Sequence, residues 1–231
     1  MSEKKLYTAV GRFVHKRDSN GQTYPVIILG SREYLVDPQE FMIWINTNWR
    51  ICRWEDIGKY YASSAAEACY HNDRSWQDCT NRLLVRGLLV CGCGETKYDA
   101  LYDLLASMYI IPARGRITLR LYVVIKLALQ GRASFGTAKR LFRTFKHTAV
   151  EKQILRFAKQ AMISTAEVIY CLEKGINNIR HEFTLLDVVY ADSSTTSDNI
   201  GQIVKSTPCC QEVVESIANL YVSQQLIFDR A

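Results

Sequence analysis

Apolar residues recur along the N-terminal part of the chain in short runs that favour strands. Residues 5–14 and 23–30 are rich in β-branched and aromatic side chains, and the intervening residues 18–22 (DSNGQ) carry an Asn-Gly turn signal. This pattern predicts an N-terminal β-hairpin. Residues 32–36 (REYLV) extend it as a third short strand.

The spacing then changes to one that is typical of amphipathic helices. Asp37 and Pro38 form a helix start, with Asp37 as the N-cap and Pro38 at the first helical position. In the helix that follows, residues 39–48, the expected apolar face holds Phe41, Trp44 and Ile45. A second helix is predicted in residues 53–68, where a single face carries Trp54, Ile57, Tyr61 and Ala65.

A third helix is predicted in residues 74–89 (RSWQDCTNRLLVRGLL), with Asp73 or Ser75 as its cap. The expected inner face of this helix carries Trp76, Cys79 and Leu83, whereas Gln77, Thr80, Asn81 and Arg82 are expected to point elsewhere. Residues 87–96 (GLLVCGCGET) then indicate a glycine stop, a short strand and a tight turn.

The remainder of the chain is predicted to be largely helical. A helix over residues 97–112 is expected to end before Pro112. Further helices are predicted in residues 118–131, 134–146, 149–162, 164–175, 196–206 and 207–228, with an apolar stretch and then a loop in residues 183–199. The last of these helices has an apolar ladder of Val213, Ile217 and Leu220, with Pro208 in its first turn. We therefore predict an α-rich α+β protein with two domains, residues 1–112 and 113–231.

Charge is distributed very unevenly along the chain. Residues 1–110 carry 13 Lys+Arg and 13 Asp+Glu, residues 111–160 carry 12 and 1, and residues 161–231 carry 4 and 9, so the net charges are 0, +11 and −5. The strongly basic central segment favours a polyanionic partner, and nucleic acid is the main hypothesis. The alternative is a solvated helical face that pairs with the acidic C-terminal segment.

Several classes of function find little support in the sequence. Nucleotide-binding, zinc-protease and serine-hydrolase motifs are absent, so we expect no enzyme activity and no cofactor. The longest apolar stretch is interrupted by Arg120 and Lys126, and the start of the chain lacks the pattern of a secretory signal, so a cytoplasmic protein without a membrane span is expected. The eight cysteines include no paired C-x-x-C motif, and no metal site is predicted. A thiol or metal sensor that uses Cys69, His71, Cys79, Cys91 and Cys93 stays open as an alternative.

Two successive stretches resemble the second and third helices of bacterial winged helix-turn-helix transcription regulators. They are residues 55–64 (EDIGKYYASS) and residues 75–90 (SWQDCTNRLLVRGLLV). In this resemblance residues 87–96 stand where the wing would be. Residues 199–228 are similar to the same helix pair in a second copy. The chain departs from the simple motif because residues 63–74 separate the two helices by more than a turn of about four residues.

The resemblance implies sequence-specific binding to double-stranded DNA, for transcriptional control, by a homodimer. It further implies that the third helix enters the major groove, where amides suit adenine, arginine suits guanine and hydroxyls suit phosphates. The candidate contacts of the first copy are Arg74, Ser75, Gln77, Thr80, Asn81, Arg82, Arg86 and, from the wing, Lys97. The second copy would contribute Lys205, Thr207 and Gln211.

The basic middle of the chain adds candidates that depend on charge alone. An amphipathic pattern in residues 137–147 presents Lys139, Arg140, Arg143 and Lys146, which can neutralise phosphates without reading sequence. Binding to a membrane surface is the competing interpretation of such a helix. For the whole chain, the alternatives to a regulator are a plasmid or phage replication initiator with two winged modules and a helical protein-interaction scaffold.

Overall fold

The structure is a computed structural model, which describes residues 3–19, 21–67, 74–113, 146–179, 182–192 and 194–230. Within those ranges the strands are β1 (Lys4–Ala9), β2 (Arg12–Arg17), β3 (Thr23–Leu29), β4 (Arg32–Leu35), β5 (Leu89–Gly94), β6 (Tyr109–Pro112), β7 (Ile163–Ser164) and β8 (Leu226–Asp229). The helices are α1 (Pro38–Thr47), α2 (Trp54–Glu67), α3 (Trp76–Val85), α4 (Lys97–Leu105), α5 (Ala149–Gln160), α6 (Thr165–Glu173), α7 (Glu182–Val189), α8 (Ile200–Val204) and α9 (Cys210–Val222). This mixed content confirms the predicted α+β class.

The N-terminal hairpin is present, but it begins later than the apolar pattern predicts. Strands β2, β3 and β4 form an antiparallel sheet in that order, and β1 pairs instead with β5. The chain leaves β1 at Gly11, which has a positive φ of 88°. A Cβ atom at Gly11 would lie 2.6 Å from the Ile28 carbonyl oxygen, so only glycine fits this corner.

Helix α1 starts as its capping signals predict, with a different buried face. The Asp37 side chain accepts from the Glu40 N–H, the Glu40 side chain accepts from the Asp37 N–H, and Pro38 follows the cap. The buried side chains of α1 are Gln39, Glu40, Ile43, Trp44 and Thr47, whereas Ile45 is exposed. The predicted apolar face was therefore wrong at Ile45, and it overlooked the buried polar residues of the same face.

Helix α2 forms the face that the sequence predicts, and α3 does so except at Thr80, which is buried. In α2, Ile57, Tyr61 and Ala65 are buried and pack in one core with α1. Ser75 is the N-cap of α3, and Cys79 and Leu83 are fully buried behind it. The apolar spacing in this part of the chain therefore predicts which of these apolar residues are buried in the core.

The C-terminal half departs from its prediction after α4. Residues 109–112 were expected to continue a helix, but they form β6, which pairs with β7 on one side and β8 on the other. The run Tyr109, Ile110 and Ile111 is bulky and mostly β-branched, and it fits a central strand better than a helix. Pro208 also lies before the N-cap residue of α9, Cys209, and not in the first turn.

A similar order of strand pairings occurs twice among the described residues. In the first unit β1 lies between an antiparallel bridge to Cys52 and strand β5, with β2–β4 and α1 before Cys52 in sequence and α2 and α3 between Cys52 and β5. In the second unit β6 lies between β7 and β8, with α5 before β7 and α6 to α9 between β7 and β8. Each unit therefore has a central strand that is paired on both sides, with helices between its two pairings in sequence.

The two units share a buried boundary. The Tyr221 hydroxyl of α9 accepts from Thr8 Oγ1 at 2.8 Å and from the Trp49 N–H at 2.9 Å, and it donates to the Ala9 carbonyl at 3.0 Å. The Gly11 N–H also donates to the Phe228 carbonyl at 2.8 Å. These bonds join β1 of the first unit to α9 and β8 of the second.

Candidate nucleic-acid interface

Helix α3 presents an exposed stripe beside its buried face. Ser75 Oγ accepts from the Asp78 N–H at 3.1 Å and fixes the N-terminus of the helix. The exposed stripe, which we call the α3 stripe, consists of Gln77, Asp78, Asn81, Arg82 and Val85. Val85 is 89% exposed and places an apolar side chain at the C-terminal end of the α3 stripe.

Thr80 does not belong to the α3 stripe, and its predicted outward position is wrong. The residue is fully buried, and its hydroxyl donates to the Trp76 carbonyl at 2.7 Å. Thr80 lies four positions after Trp76 and three before the fully buried Leu83, so it shares the side of the helix that packs against the core. A DNA duplex that contacts the α3 stripe cannot reach the Thr80 hydroxyl in this conformation.

The arginines of the third helix are held by carboxylates of the first. Arg82 Nε donates to Glu40 Oε1 at 2.6 Å, and Arg86 Nη1 donates to Glu40 Oε2 at 2.7 Å. Glu40 has a side chain only 1% exposed, so both guanidinium groups are needed to compensate its buried charge. At the start of the helix, Arg74 Nη2 lies 2.8 Å from Asp37 Oδ2.

Arg82 and Arg86 differ in what remains free. Arg86 also donates from Nη2 to the Leu35 carbonyl, lies over the Tyr34 ring and is 26% exposed. The Arg82 side chain is 55% exposed, and within the described ranges the bond from Nε is the only hydrogen bond of its guanidinium group. Arg86 is therefore a brace between α1, β4 and α3. Both of its Nη atoms are bonded within the fold, which argues against the predicted contact with the DNA backbone.

Sequence reasoning missed Glu40, although a signal was present. Glu40 falls on the same helical face as Ile43, Trp44 and Thr47, at a spacing that buries all four. A carboxylate on the core side of an amphipathic helix needs cationic partners. That requirement pointed to arginines on a neighbouring element.

Residues 87–96 do not form a wing. Leu89–Gly94 pair along their whole length with Lys4–Ala9, and the Thr96 capping box starts α4 at once. Gly92 packs so closely on α4 that a Cβ atom would lie 2.3 Å from the Ala100 carbonyl oxygen. Lys97 is exposed at the first position of α4, and not at the tip of a hairpin.

The candidate residues of the second copy lie in acidic surroundings. Lys205 Nζ lies 3.7 Å from Asp99 Oδ1 and stands over the Tyr102 ring. Thr207 donates to the Val204 carbonyl at 2.8 Å, and Gln211 donates to Glu215 Oε1 at 2.9 Å on the exposed face of α9. Val213, Ile217 and Leu220 are buried behind that face, as predicted.

Basic residues dominate one exposed face of α5 in the second unit. Lys152, Arg156 and Lys159 recur at helical spacing and are exposed, while Ile154 and Phe157 are buried on the other side. Among the described residues none of these three cations has a salt-bridge partner within 4.0 Å. We call these three residues, with the exposed Lys146, the α5 face. Lys139, Arg140 and Arg143 lie outside the described residues.

The cysteines add no metal site to this picture. Cys91 and Cys93 have Sγ atoms 3.8 Å apart on one face of β5, and burial raises the pKa of the Cys91 thiol to about 11. In the ranges that the structure describes, no group of three or more His, Cys, Asp and Glu residues is arranged to hold a metal ion. Cys69 and His71 lie outside those ranges.

Comparisons of the chain with protein-family models, with curated proteins and with solved structures each found no match. Across the described residues, the helices are too short or too polar for any of them to cross a bilayer. Support for the candidate interface therefore comes from its own geometry.

Proposed function

We propose that the protein binds double-stranded DNA and acts as a sequence-specific transcriptional regulator, with α3 as the helix that enters the major groove. The single observation that carries the proposal is the α3 stripe: amides, one guanidinium and one bare valine on an exposed face, fixed from behind by a packed core. A major groove admits one such helix.

The chemistry of the stripe suits base edges. Gln77 and Asn81 offer the paired donor and acceptor that adenine N7 and N6 require, and Val85 offers an apolar contact for a thymine methyl group. The stripe carries one acidic and one basic residue, so it contributes little net attraction to phosphates. Sequence reading and electrostatic attraction therefore come from different parts of the chain.

The attraction comes from the basic middle. The α5 face adds four exposed cations, and residues 114–145 add eight Lys and Arg with no Asp or Glu. Each phosphate contact releases condensed counterions, so affinity should fall steeply as salt rises. A partner that is an acidic protein would give a shallower dependence.

The test is fluorescence anisotropy of the full chain with labelled genomic duplexes, titrated over a range of salt. Asn81→Ala should weaken binding to preferred duplexes and leave binding to random duplexes unchanged, because amides read bases and do not attract phosphates. Gln202→Ala on α8, an exposed amide outside the candidate contacts, is the matched control and should bind as the wild type does. Equal binding by an Asn81→Ala, Arg82→Ala double variant would remove α3 from the interface.

The repeated unit favours one second candidate, a replication initiator that binds a long site with both units. The observation behind it is that β1 and β6 are each the central strand in a similar order of strand pairings. Footprints on paired inverted half-sites would support the regulator and its homodimer, whereas iterated direct repeats would support the initiator.

A further inference from the structure

The pairing of Arg82 with Glu40 bears on what Arg82 can recognise. The planar guanidinium has five N–H donors in a fixed fork. One of them, the Nε–H, is committed to Glu40 Oε1 at 2.6 Å, and that carboxylate is buried. The bond fixes the plane of the group and leaves its terminal Nη atoms at the exposed end.

We propose that Arg82, oriented by the buried Glu40, donates its two Nη groups to O6 and N7 of a guanine in the bound DNA. This inference rests on the proposed function and adds the base that α3 reads at one position. Guanine in the major groove presents two acceptors side by side, which is the geometry that a guanidinium end matches.

Two features of the site favour a base over a phosphate. The Glu40 carboxylate, which Arg82 shares with Arg86, offsets part of the Arg82 charge and constrains the direction of its remaining N–H donors. Around the helix Val85 lies between Asn81 and Arg82, so the three side chains share one exposed side and can meet neighbouring base edges.

Glu40 acts here as a positioning residue and not as a contact. It holds Arg82 through one oxygen and the brace Arg86 through the other. An arginine without this bond would lose side-chain conformational entropy when it binds DNA. In the folded protein the bond to Glu40 has already restricted Arg82, so less entropy is lost on binding.

The experiment is a selection from a double-stranded DNA library with a randomised centre, followed by anisotropy on the enriched duplexes. Wild-type protein should enrich a fixed guanine, and 7-deazaguanine at that position should weaken binding roughly tenfold because it lacks the N7 acceptor. Arg82→Gln, which removes the guanidinium fork and suits adenine, should lose the preference for that guanine while keeping the preferences at neighbouring positions.

Arg86→Gln is the matched control, since Arg86 shares the same carboxylate but is only 26% exposed and has both of its Nη atoms bonded within the fold. It should lower the thermal midpoint and keep the guanine preference, whereas Arg82→Gln should lose the guanine preference. Glu40→Gln should weaken the preference in protein that circular dichroism shows to be folded.

The outcomes separate this inference from the proposed function. If wild-type protein selects sequences and Arg82→Gln selects the same guanine, the guanine assignment is overturned and DNA binding stands. A uniform loss of affinity with a salt slope reduced by about one would assign Arg82 to a phosphate and also overturn it. If wild-type protein binds no duplex at all, both proposals fail.

Discussion

Replacing Tyr221 by phenylalanine would test whether the two units are one cooperative structure. The ring lies fully buried and stacks on Phe228 at a centroid distance of 4.1 Å, so Tyr221→Phe keeps the packing and removes only the hydroxyl. That hydroxyl accepts from Thr8 Oγ1 and the Trp49 N–H, and it donates to the Ala9 carbonyl. Burial raises the pKa of Tyr221, so the group stays a donor at ordinary pH.

The magnitude follows from counting the groups that lose a partner. Thr8 Oγ1 keeps a second acceptor, the Arg50 carbonyl at 2.8 Å, and so loses little. The Trp49 N–H and the Ala9 carbonyl lose the hydroxyl in a buried place, at about 1–3 kcal/mol for each unsatisfied group. Trp49 also adopts a positive φ of 56°, a conformation that needs support in a bulky residue. We expect Tyr221→Phe to lower the free energy of unfolding by about 2–4 kcal/mol.

Equilibrium unfolding in urea, followed by circular dichroism and tryptophan fluorescence, measures this loss. Tyr170→Phe is the matched control, because its ring is half-exposed beneath Lys174, and we expect a change within about 0.5 kcal/mol. A Tyr221→Phe variant within about 0.5 kcal/mol of the wild type would refute the argument, since the boundary groups would then have found other partners.

Three further predictions follow from local geometry. Gly92→Ala should prevent folding or cost more than about 3 kcal/mol in urea unfolding, because its Cβ would lie 2.3 Å from the Ala100 carbonyl oxygen of α4. Cys52 and Cys171 should resist iodoacetamide at pH 9 in mass-spectrometric mapping, since burial and then a nearby carboxylate raise the pKa of each thiol to about 12; rapid labelling would contradict this. Asp37→Ala should cost about 1 kcal/mol in thermal unfolding by removing the α1 cap, with Asp37→Asn keeping most of that stability; equal losses would argue against the cap.

Local signals predicted the elements whose cause is local. The Asp37 cap occurs as predicted, Ser75 is the one of the two candidate caps that caps α3, and a hairpin forms with a later start than predicted. The helical faces of α2 and α9 were also predictable, because a core selects apolar residues at a fixed spacing. The buried sides of α1 and α3 were predicted less well, since Ile45 is exposed and Thr80 is buried.

Pairings between distant residues could not be predicted in this way. Strand β1 finds β5 about 85 residues later along the chain, and β6 finds β8 more than a hundred residues later. Neither pairing leaves a mark in the local pattern of β5 or β6, which is why residues 87–96 resembled a wing and residues 109–112 resembled a helix end. The link from Glu40 to α3 is of the same kind, since it joins residues 42 and 46 positions apart.

These long-range pairings change how the candidate interface must work. Arg74, Arg82 and Arg86 all face carboxylates of α1 or its cap, so α3 cannot supply the electrostatic attraction that its arginine content suggests. The uncompensated positive charge lies after residue 111 instead. If α3 reads bases while the basic middle holds phosphates, sequence preference and salt dependence should respond to different substitutions. Substitutions on the α5 face should then change the salt slope without changing the preferred sequence, and changes on α3 should do the reverse.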